Sequence, residues 1–464
     1  MFLALGCRAT SEGLMALLII TCLVLSLTSN LVPVFNVMAI LALVPLRLFC
    51  TERAADPDLV PRRAINCLLL AYTFWIASYL LTGASISNLF SYDFLRYDGA
   101  MFVGYLPLLL MGACGLKSNT VTRLLWIYLG ILAVAATLGA VQFITHIEGL
   151  NYDAESTGPH WNVLYKSELT TDIFHGWYRA HNAAGSVYAM ATCVALAFFL
   201  GRNKTKALSW QGLIFAAVLT GLVLAQSRSG YVAFTAASVI VFMRKKEHAR
   251  RLLRLGIVVG VPLLMFWLSQ SLILRRVQWI TNFEEPNAAG RLINYADALT
   301  DFARSPLIGI GLGRYNDEWK IYSEIPPVVS VATQGEVVNL DNHAHNSYLH
   351  FLAEGGIVGL ALMLGVWIET YRWAGMIRRR FGELSATGTL AQGIQASIVV
   401  VCFFSLTEHA MGMASSPLVI FTMVGLLRNA AAYERLNVAA SRGISARFKV
   451  EPGGSSQLTP GEAY

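Results

Sequence analysis

Apolar runs of about twenty residues recur along this chain, and they limit what it can fold into more than any other feature. Each run is long enough for a helix to cross a hydrocarbon core of roughly 30 Å. Of the 464 residues, 55% are hydrophobic and only 14% are charged, which is far less charge than a soluble globular domain carries. The sequence therefore predicts an all-α, polytopic membrane protein.

Twelve membrane-spanning helices are predicted, which places residues 1–439 in a single transmembrane domain. The first run is not followed by a convincing cleavage site, so it is expected to be a retained span. Residues 440–464 form a short polar tail that is expected to be disordered. The predicted spans lie near 13–30, 31–50, 64–83, 98–115, 124–145, 183–200, 208–225, 230–243, 255–273, 348–371, 392–408 and 411–429.

Lys and Arg concentrate in alternate connections between the predicted spans, for example Arg244–Arg254 and Arg378–Arg380. Basic loops stay in the cytoplasm, so both termini are predicted to be cytoplasmic. The net charge of +7 is explained by these loops, and no nucleic-acid partner is expected. Two long loops, 146–182 and 274–347, then lie outside. The second precedes the tenth span and is expected to contain a helix over 287–299, capped by Asn287 and ended before Pro306.

Neither disulfides nor a metal site are predicted. The seven cysteines avoid the two long outer loops and show no CxxC or Cys/His spacing, so they are expected to be ordinary apolar residues. No DxD-like pair or cluster of metal-ligand residues suggests a catalytic metal.

A polar stretch over 341–349 ends the longest polar segment and opens an apolar run. Asn346, or Asp341 and Asn342, can cap a helix that enters the membrane here. His345 would then lie in the first turn, where its imidazole can exchange a proton near neutral pH. An ionisable group at membrane depth is a candidate functional residue. An ordinary capping or interfacial role for this histidine is the alternative.

Three outer arginines are placed where a lipid headgroup would arrive. Arg228 lies in a short outer turn, Arg179 lies where the first long loop re-enters the membrane, and Arg291 lies in the loop helix. A guanidinium is always charged and its planar fork suits phosphate oxygens. The alternatives are snorkelling or solvated side chains.

Two further patterns favour structural roles. The glycines at 309, 311 and 313 lack the strand and helix of a phosphate-binding loop, so they predict a tight turn that presses its backbone against a neighbour. His350 and Glu354 are four residues apart and are expected to pair. Glu408 and His409 could add a carboxylate near the outer end of a span, but the sequence does not place them.

One motif resembles the signature of bacterial O-antigen ligases: His345-Asn346, nine residues, Gly356, two residues, Gly359. Other stretches are similar to the wider O-antigen ligase/polymerase superfamily. They are Asn346–Leu349, Ala353–Gly356, Ser227–Gly230, and the segment from Arg291 through Pro306 to Gly313.

The resemblance implies a metal-independent, inverting glycosyl transfer at the periplasmic face of a bacterial inner membrane, with no cofactor. The donor would be a glycan on undecaprenyl pyrophosphate, and the acceptor a sugar hydroxyl of lipid A–core. His345 would be the general base. Arg228 and Arg291 would hold the pyrophosphate, and Arg179 matches less closely. The residues expected to support them are His343, Asn346, Asn182 and Tyr295.

Three alternatives remain. A glycan polymerase would use the same donor, but such enzymes often carry Arg-x10-Gly motifs. Here Met190, Val239 and Phe302 replace the glycine after Arg179, Arg228 and Arg291. A transferase that acts on protein commonly has an additional outer C-terminal region, whereas the tail here is short, basic and predicted to be cytoplasmic. A lipid or glycan transporter would show paired broken spans with midplane charges, whereas these spans carry few charges. The ligase is favoured.

Overall fold

A computed structural model describes residues 59–81, 100–110, 118–145, 181–201, 210–225, 227–242, 286–316, 343–412 and 415–441. Within these ranges all regular structure is helical, which confirms the all-α prediction. The α-helices are α1 (Arg62–Leu81), α2 (Ala100–Leu110), α3 (Ser118–Thr145), α4 (His181–Leu200), α5 (Trp210–Leu224), α6 (Arg228–Phe242), α7 (Pro286–Arg304), α8 (Ser347–Phe381), α9 (Ala386–Phe404) and α10 (Ser415–Ser441).

Nine of the predicted spans coincide with described helices. The predicted spans 13–30, 31–50 and 255–273 lie outside the described residues, so the total of twelve stays a prediction. Six of the described helices are long and apolar enough to cross a membrane: α1, α3, α4, α8, α9 and α10. The chain is therefore a membrane protein.

Helix α4 lies at the centre of the bundle. It packs against α5, α6 and α9, and α9 in turn packs against α8 and α10. Nearly all of α4 is buried. The contact with α9 is close: a Cβ atom on Gly393 would lie 3.1 Å from the Cα atom of Val194. Small residues let two membrane helices approach in this way.

Helix α7 lies in the predicted outer loop and packs against α8. It begins at Pro286, so Asn287 is inside the helix and is not its cap as predicted; proline is favoured at a first helical position because its φ is already helical. It ends at Arg304, before Pro306, as predicted.

Helix α8 is interrupted at Gly356, which has the non-helical angles φ 60° and ψ −162°. The segment 306–311 docks into the break, which confirms that the glycine turn predicted at 309–313 presses its backbone against a neighbour. Four backbone hydrogen bonds join them: Ile310 N to Ala353 O (2.9 Å), Gly311 N to Glu354 O (3.0 Å), Ile357 N to Pro306 O (2.9 Å) and Val358 N to Leu307 O (3.2 Å). Broken helices persist in membranes where protein satisfies the freed backbone groups.

Replacing Gly356 with Ala is expected to destabilise the fold. The backbone conformation is almost exclusive to glycine and costs other residues on the order of 1–3 kcal/mol. The new Cβ atom would also lie 2.4 Å from the carbonyl carbon of Leu307. Thermal unfolding in detergent should show a lower midpoint. Gly130→Ala is the matched control, because nothing lies within 4 Å of its Cβ position and alanine favours a helix. Equal midpoints for the two variants would show that the docking is not tight.

Candidate functional site

The start of α8 is fixed by Asn346. Its side-chain oxygen accepts hydrogen bonds from the backbone N–H groups of Tyr348 (2.9 Å) and Leu349 (3.1 Å), so the predicted cap is confirmed. His345 therefore precedes the cap and does not lie in the first turn as predicted. Its φ of 47° is left-handed, a conformation that few residues other than glycine adopt. Such backbone strain often accompanies functional positions.

The loop 405–412 joins α9 to α10, and three other elements bind to its first residues. From the start of α8, the backbone N–H of Ser347 donates to the Ser405 carbonyl (2.9 Å) and the Asn346 side chain donates to the Leu406 carbonyl (3.0 Å). From α7, the Tyr295 hydroxyl reaches the same Leu406 carbonyl (3.3 Å). From α6, the Ser229 hydroxyl bonds to the Thr407 hydroxyl. The loop therefore holds three helix ends together.

Glu408 is the central group of the site. Its Oε1 atom accepts hydrogen bonds from the Arg291 guanidinium (2.7 Å) and the Asn182 amide (2.6 Å). Its Oε2 atom lies 3.2 Å from Nδ1 of His345. The residue is only 3% exposed, and a buried carboxylate of this kind needs charged or hydrogen-bonding partners. An imidazole and a guanidinium that are far apart in sequence therefore meet at one carboxylate.

Asn182 extends this network to the start of α6. Its side-chain oxygen accepts a hydrogen bond from the Ser227 hydroxyl (3.2 Å), and the Gly230 N–H donates to that hydroxyl (3.3 Å). Arg228 lies between Ser227 and Ser229, and it is exposed. The predicted Arg179 lies outside the described residues.

Residues 213–364 match a protein-family model described as O-antigen ligase. This part of the chain, about a third of it, is similar to the O-antigen ligase family. The matched region contains Arg228, Arg291, His345 and the helix break at Gly356. No curated protein matches the chain.

His345 is one of a cluster of four histidines. Ring centroids are 4.4 Å apart for His343 and His345, 5.8 Å for His343 and His409, and 4.1 Å for His350 and His409. Burial lowers the pKa of His409 well below its usual value, and the nearby His350, His343 and His345 lower it further. His409 is therefore neutral at physiological pH. His350 and Glu354 form the predicted pair, with Nε2 and Oε2 3.4 Å apart.

The fold also forms a group of potential metal ligands that was not visible along the sequence. One ligand atom from each of His343, His345 and Glu408 lies within 4.8 Å of the others. Glu408 is far from the two histidines in sequence, which is why no spacing pattern revealed the group. The expectation of a metal-independent reaction is not tested by this geometry.

Most of the predicted site residues come together in the fold. His345, Arg291, Asn182, Asn346 and Tyr295 all bind the loop 405–412, and the ring of His343 lies beside that of His345. Their chemical roles stay predictions. The sequence interpretation missed the central position of Glu408 and the contribution of Ser227. The only available signal for Glu408 was an acidic residue at the end of an apolar span.

Proposed function

We propose that this protein is an O-antigen ligase that transfers a glycan from undecaprenyl pyrophosphate to a sugar hydroxyl of lipid A–core. The reaction would take place on the periplasmic face of the bacterial inner membrane and would need no metal. One observation carries the proposal: His345 and Arg291 share the buried carboxylate of Glu408. A candidate base and a candidate phosphate ligand are thereby held in one place.

His345 is the proposed general base. When its Nδ1–H donates to Glu408, its Nε2 carries the lone pair and can accept the proton of the acceptor hydroxyl. The hydroxyl oxygen then attacks the anomeric carbon of the donor sugar. The bond from that carbon to the pyrophosphate oxygen breaks on the opposite face, so the configuration inverts. The leaving pyrophosphate takes the bonding electrons.

Arg291 and Arg228 are proposed to stabilise the charge on the departing pyrophosphate. The Arg291 side chain is 35% exposed while one of its nitrogens is held by Glu408, so the residue lies at the boundary between the buried network and the outside. Arg228 is exposed beside the same network. Fixed cations placed where charge develops are an effective form of catalysis. Arg179 is proposed as a third ligand of the donor.

Glu408 is proposed as the residue that positions the other groups. Its Oε2 selects the His345 tautomer, and its Oε1 orients Arg291. A carboxylate plays the same part beside the catalytic histidine of serine proteases.

A single assay separates the alternatives. Purified protein in lipid bilayers is mixed with a lipid-linked glycan and either lipid A–core or a second portion of lipid-linked glycan. A product on lipid A–core supports the ligase. A ladder of longer lipid-linked chains would instead identify a polymerase, and product on an added acceptor protein would identify a protein glycosyltransferase. Movement of the donor across the bilayer with no product in any arm would indicate a transporter.

Arg228→Lys is expected to reduce transfer about tenfold or more, because an ammonium is a point charge and does not reproduce the bidentate contact of a guanidinium with phosphate. The measurement is initial transfer rate at several donor concentrations. Arg304→Lys is the matched control: Arg304 ends α7, is 67% exposed and pairs with Asp301, so its transfer rate should not change. Full activity of Arg228→Lys would exclude Arg228 from the phosphate site.

A further inference from the structure

We infer that His343, His345 and Glu408 form a reversible inhibitory site for a divalent ion of the zinc type. The inference rests on the proposed function, because inhibition is measured on the proposed transfer. It adds a ligand and a form of regulation that the transfer reaction itself does not require.

The chemistry of the three side chains selects the ion. Two imidazoles and one carboxylate are a ligand set that Zn²⁺ accepts, with a fourth position left for water. Imidazole suits zinc, copper and nickel ions, whereas Mg²⁺ and Ca²⁺ prefer oxygen ligands. The group should therefore bind Zn²⁺ in preference to Mg²⁺ and Ca²⁺.

The distances suit a metal after a small adjustment. Nδ1 of His345 and Oε2 of Glu408 are 3.2 Å apart, and two ligands about 2.1 Å from a tetrahedral Zn²⁺ are separated by roughly 3.4 Å. All three ligand atoms lie within 4.8 Å of one another, so a small shift of the His343 ring completes the group.

Arg291 limits how tightly the ion is held. It donates to Oε1 of Glu408 at 2.7 Å, which leaves Oε2 as the metal ligand and keeps the ion pair intact. A cation on the other oxygen is nevertheless repelled by the guanidinium. The ion should therefore exchange, unlike a structural zinc.

Metal binding would remove the base without any net change in protons. In the active tautomer of His345 the proton lies on Nδ1, facing Glu408, and Nε2 carries the lone pair. A metal on Nδ1 shifts that proton to Nε2, because a neutral imidazole keeps one N–H. Nε2 then has no lone pair for the acceptor's proton, and transfer stops.

The test combines a binding measurement with the transfer assay. Protein purified through a tag without histidine is titrated with Zn²⁺ by calorimetry, and with Co²⁺ by its visible absorption. The wild type should bind one equivalent more than His343→Gln and Glu408→Gln. His350→Gln is the control and should match the wild type, because His350 pairs with Glu354 outside the group. Thermal unfolding of each variant, measured without metal, identifies any binding loss that is due to misfolding.

In the transfer assay, Zn²⁺ should inhibit wild-type protein at least tenfold over the concentration range in which it binds. EDTA should restore the full rate, EDTA alone should have no effect, and Mg²⁺ should not inhibit.

Equal binding by the wild type and both ligand variants would disprove the site, and binding without inhibition would disprove its role. A rate lost in EDTA and restored by Zn²⁺ would make the ion a cofactor and overturn both the inhibitory role and the metal-free mechanism. Absence of transfer to any acceptor, both with and without metal, would reject the proposed function, while the binding result would still decide the site.

Discussion

His345→Asn is expected to abolish glycan transfer while the protein still folds and enters the membrane. The variant removes the only group in the proposed mechanism that accepts the acceptor's proton. General bases typically contribute a factor of about 10² to 10⁴ in rate. The transfer rate of the variant should therefore be lower than that of the wild type by at least such a factor. Asparagine is preferred to alanine here because it tolerates the left-handed backbone that His345 adopts.

The measurement is initial transfer rate at saturating donor and acceptor, together with the thermal unfolding midpoint. We expect His345→Ala to lose transfer as well, and to unfold at a lower temperature because alanine is strained at a φ of 47°. A drop in rate that followed the unfolding midpoint across the two variants would point to a structural role. Retained transfer in His345→Asn would remove this residue as the base.

The membrane fold was predictable because its signals are local. A run of twenty apolar residues can be recognised from the residue types alone, and α1, α4 and α5 lie close to their predicted positions. The Asn346 cap was also predictable, since a cap needs only its own side chain and the next three residues. The glycine turn at 309–313 was predicted to press against a neighbour, but its partner was not identified.

The central carboxylate was not predictable because its contacts are distant in sequence. Glu408 lies 63 residues from His345, 117 from Arg291 and 226 from Asn182. No periodic pattern or spacing connects residues so far apart. Only the packing of α4, α7 and α8 around the loop 405–412 reveals which side chains meet.

The orientation of α7 shows where hydrophobic periodicity fails. Ile293, Ala296 and Leu299 recur at helical spacing along this helix, which predicts a shared packed face, yet Ala296 and Leu299 are exposed. The residues buried on this helix include Asn294, Asp297 and Asp301. Polar side chains therefore occupy the packed side of α7, and its apolar residues do not mark that side.

Glu408→Gln is expected to lower the transfer rate about a hundredfold or more, although it only replaces one carboxylate oxygen with an NH2 group. The amide retains one acceptor oxygen, which Arg291 and Asn182 would hold at the present Oε1 position. The amide NH2 group would then face Nδ1 of His345, which must become an acceptor. The His345 proton moves to Nε2, and the base is lost through the wrong tautomer, as in an Asp→Asn change beside the histidine of a serine protease.

Kinetics distinguish this positioning role from a merely structural one. The Glu408→Gln loss should appear in kcat, with a smaller change in KM, and the unfolding midpoint should fall little because the hydrogen bonds of Arg291 and Asn182 persist. Glu408→Asp should recover part of the rate, since a carboxylate restores the tautomer even from a shorter side chain. The matched control is Glu369→Gln, which removes a carboxylate paired with Arg372 at 2.6 Å elsewhere on α8 and should leave kcat unchanged. If Glu408→Gln kept the wild-type kcat, the tautomer of His345 could not depend on this carboxylate.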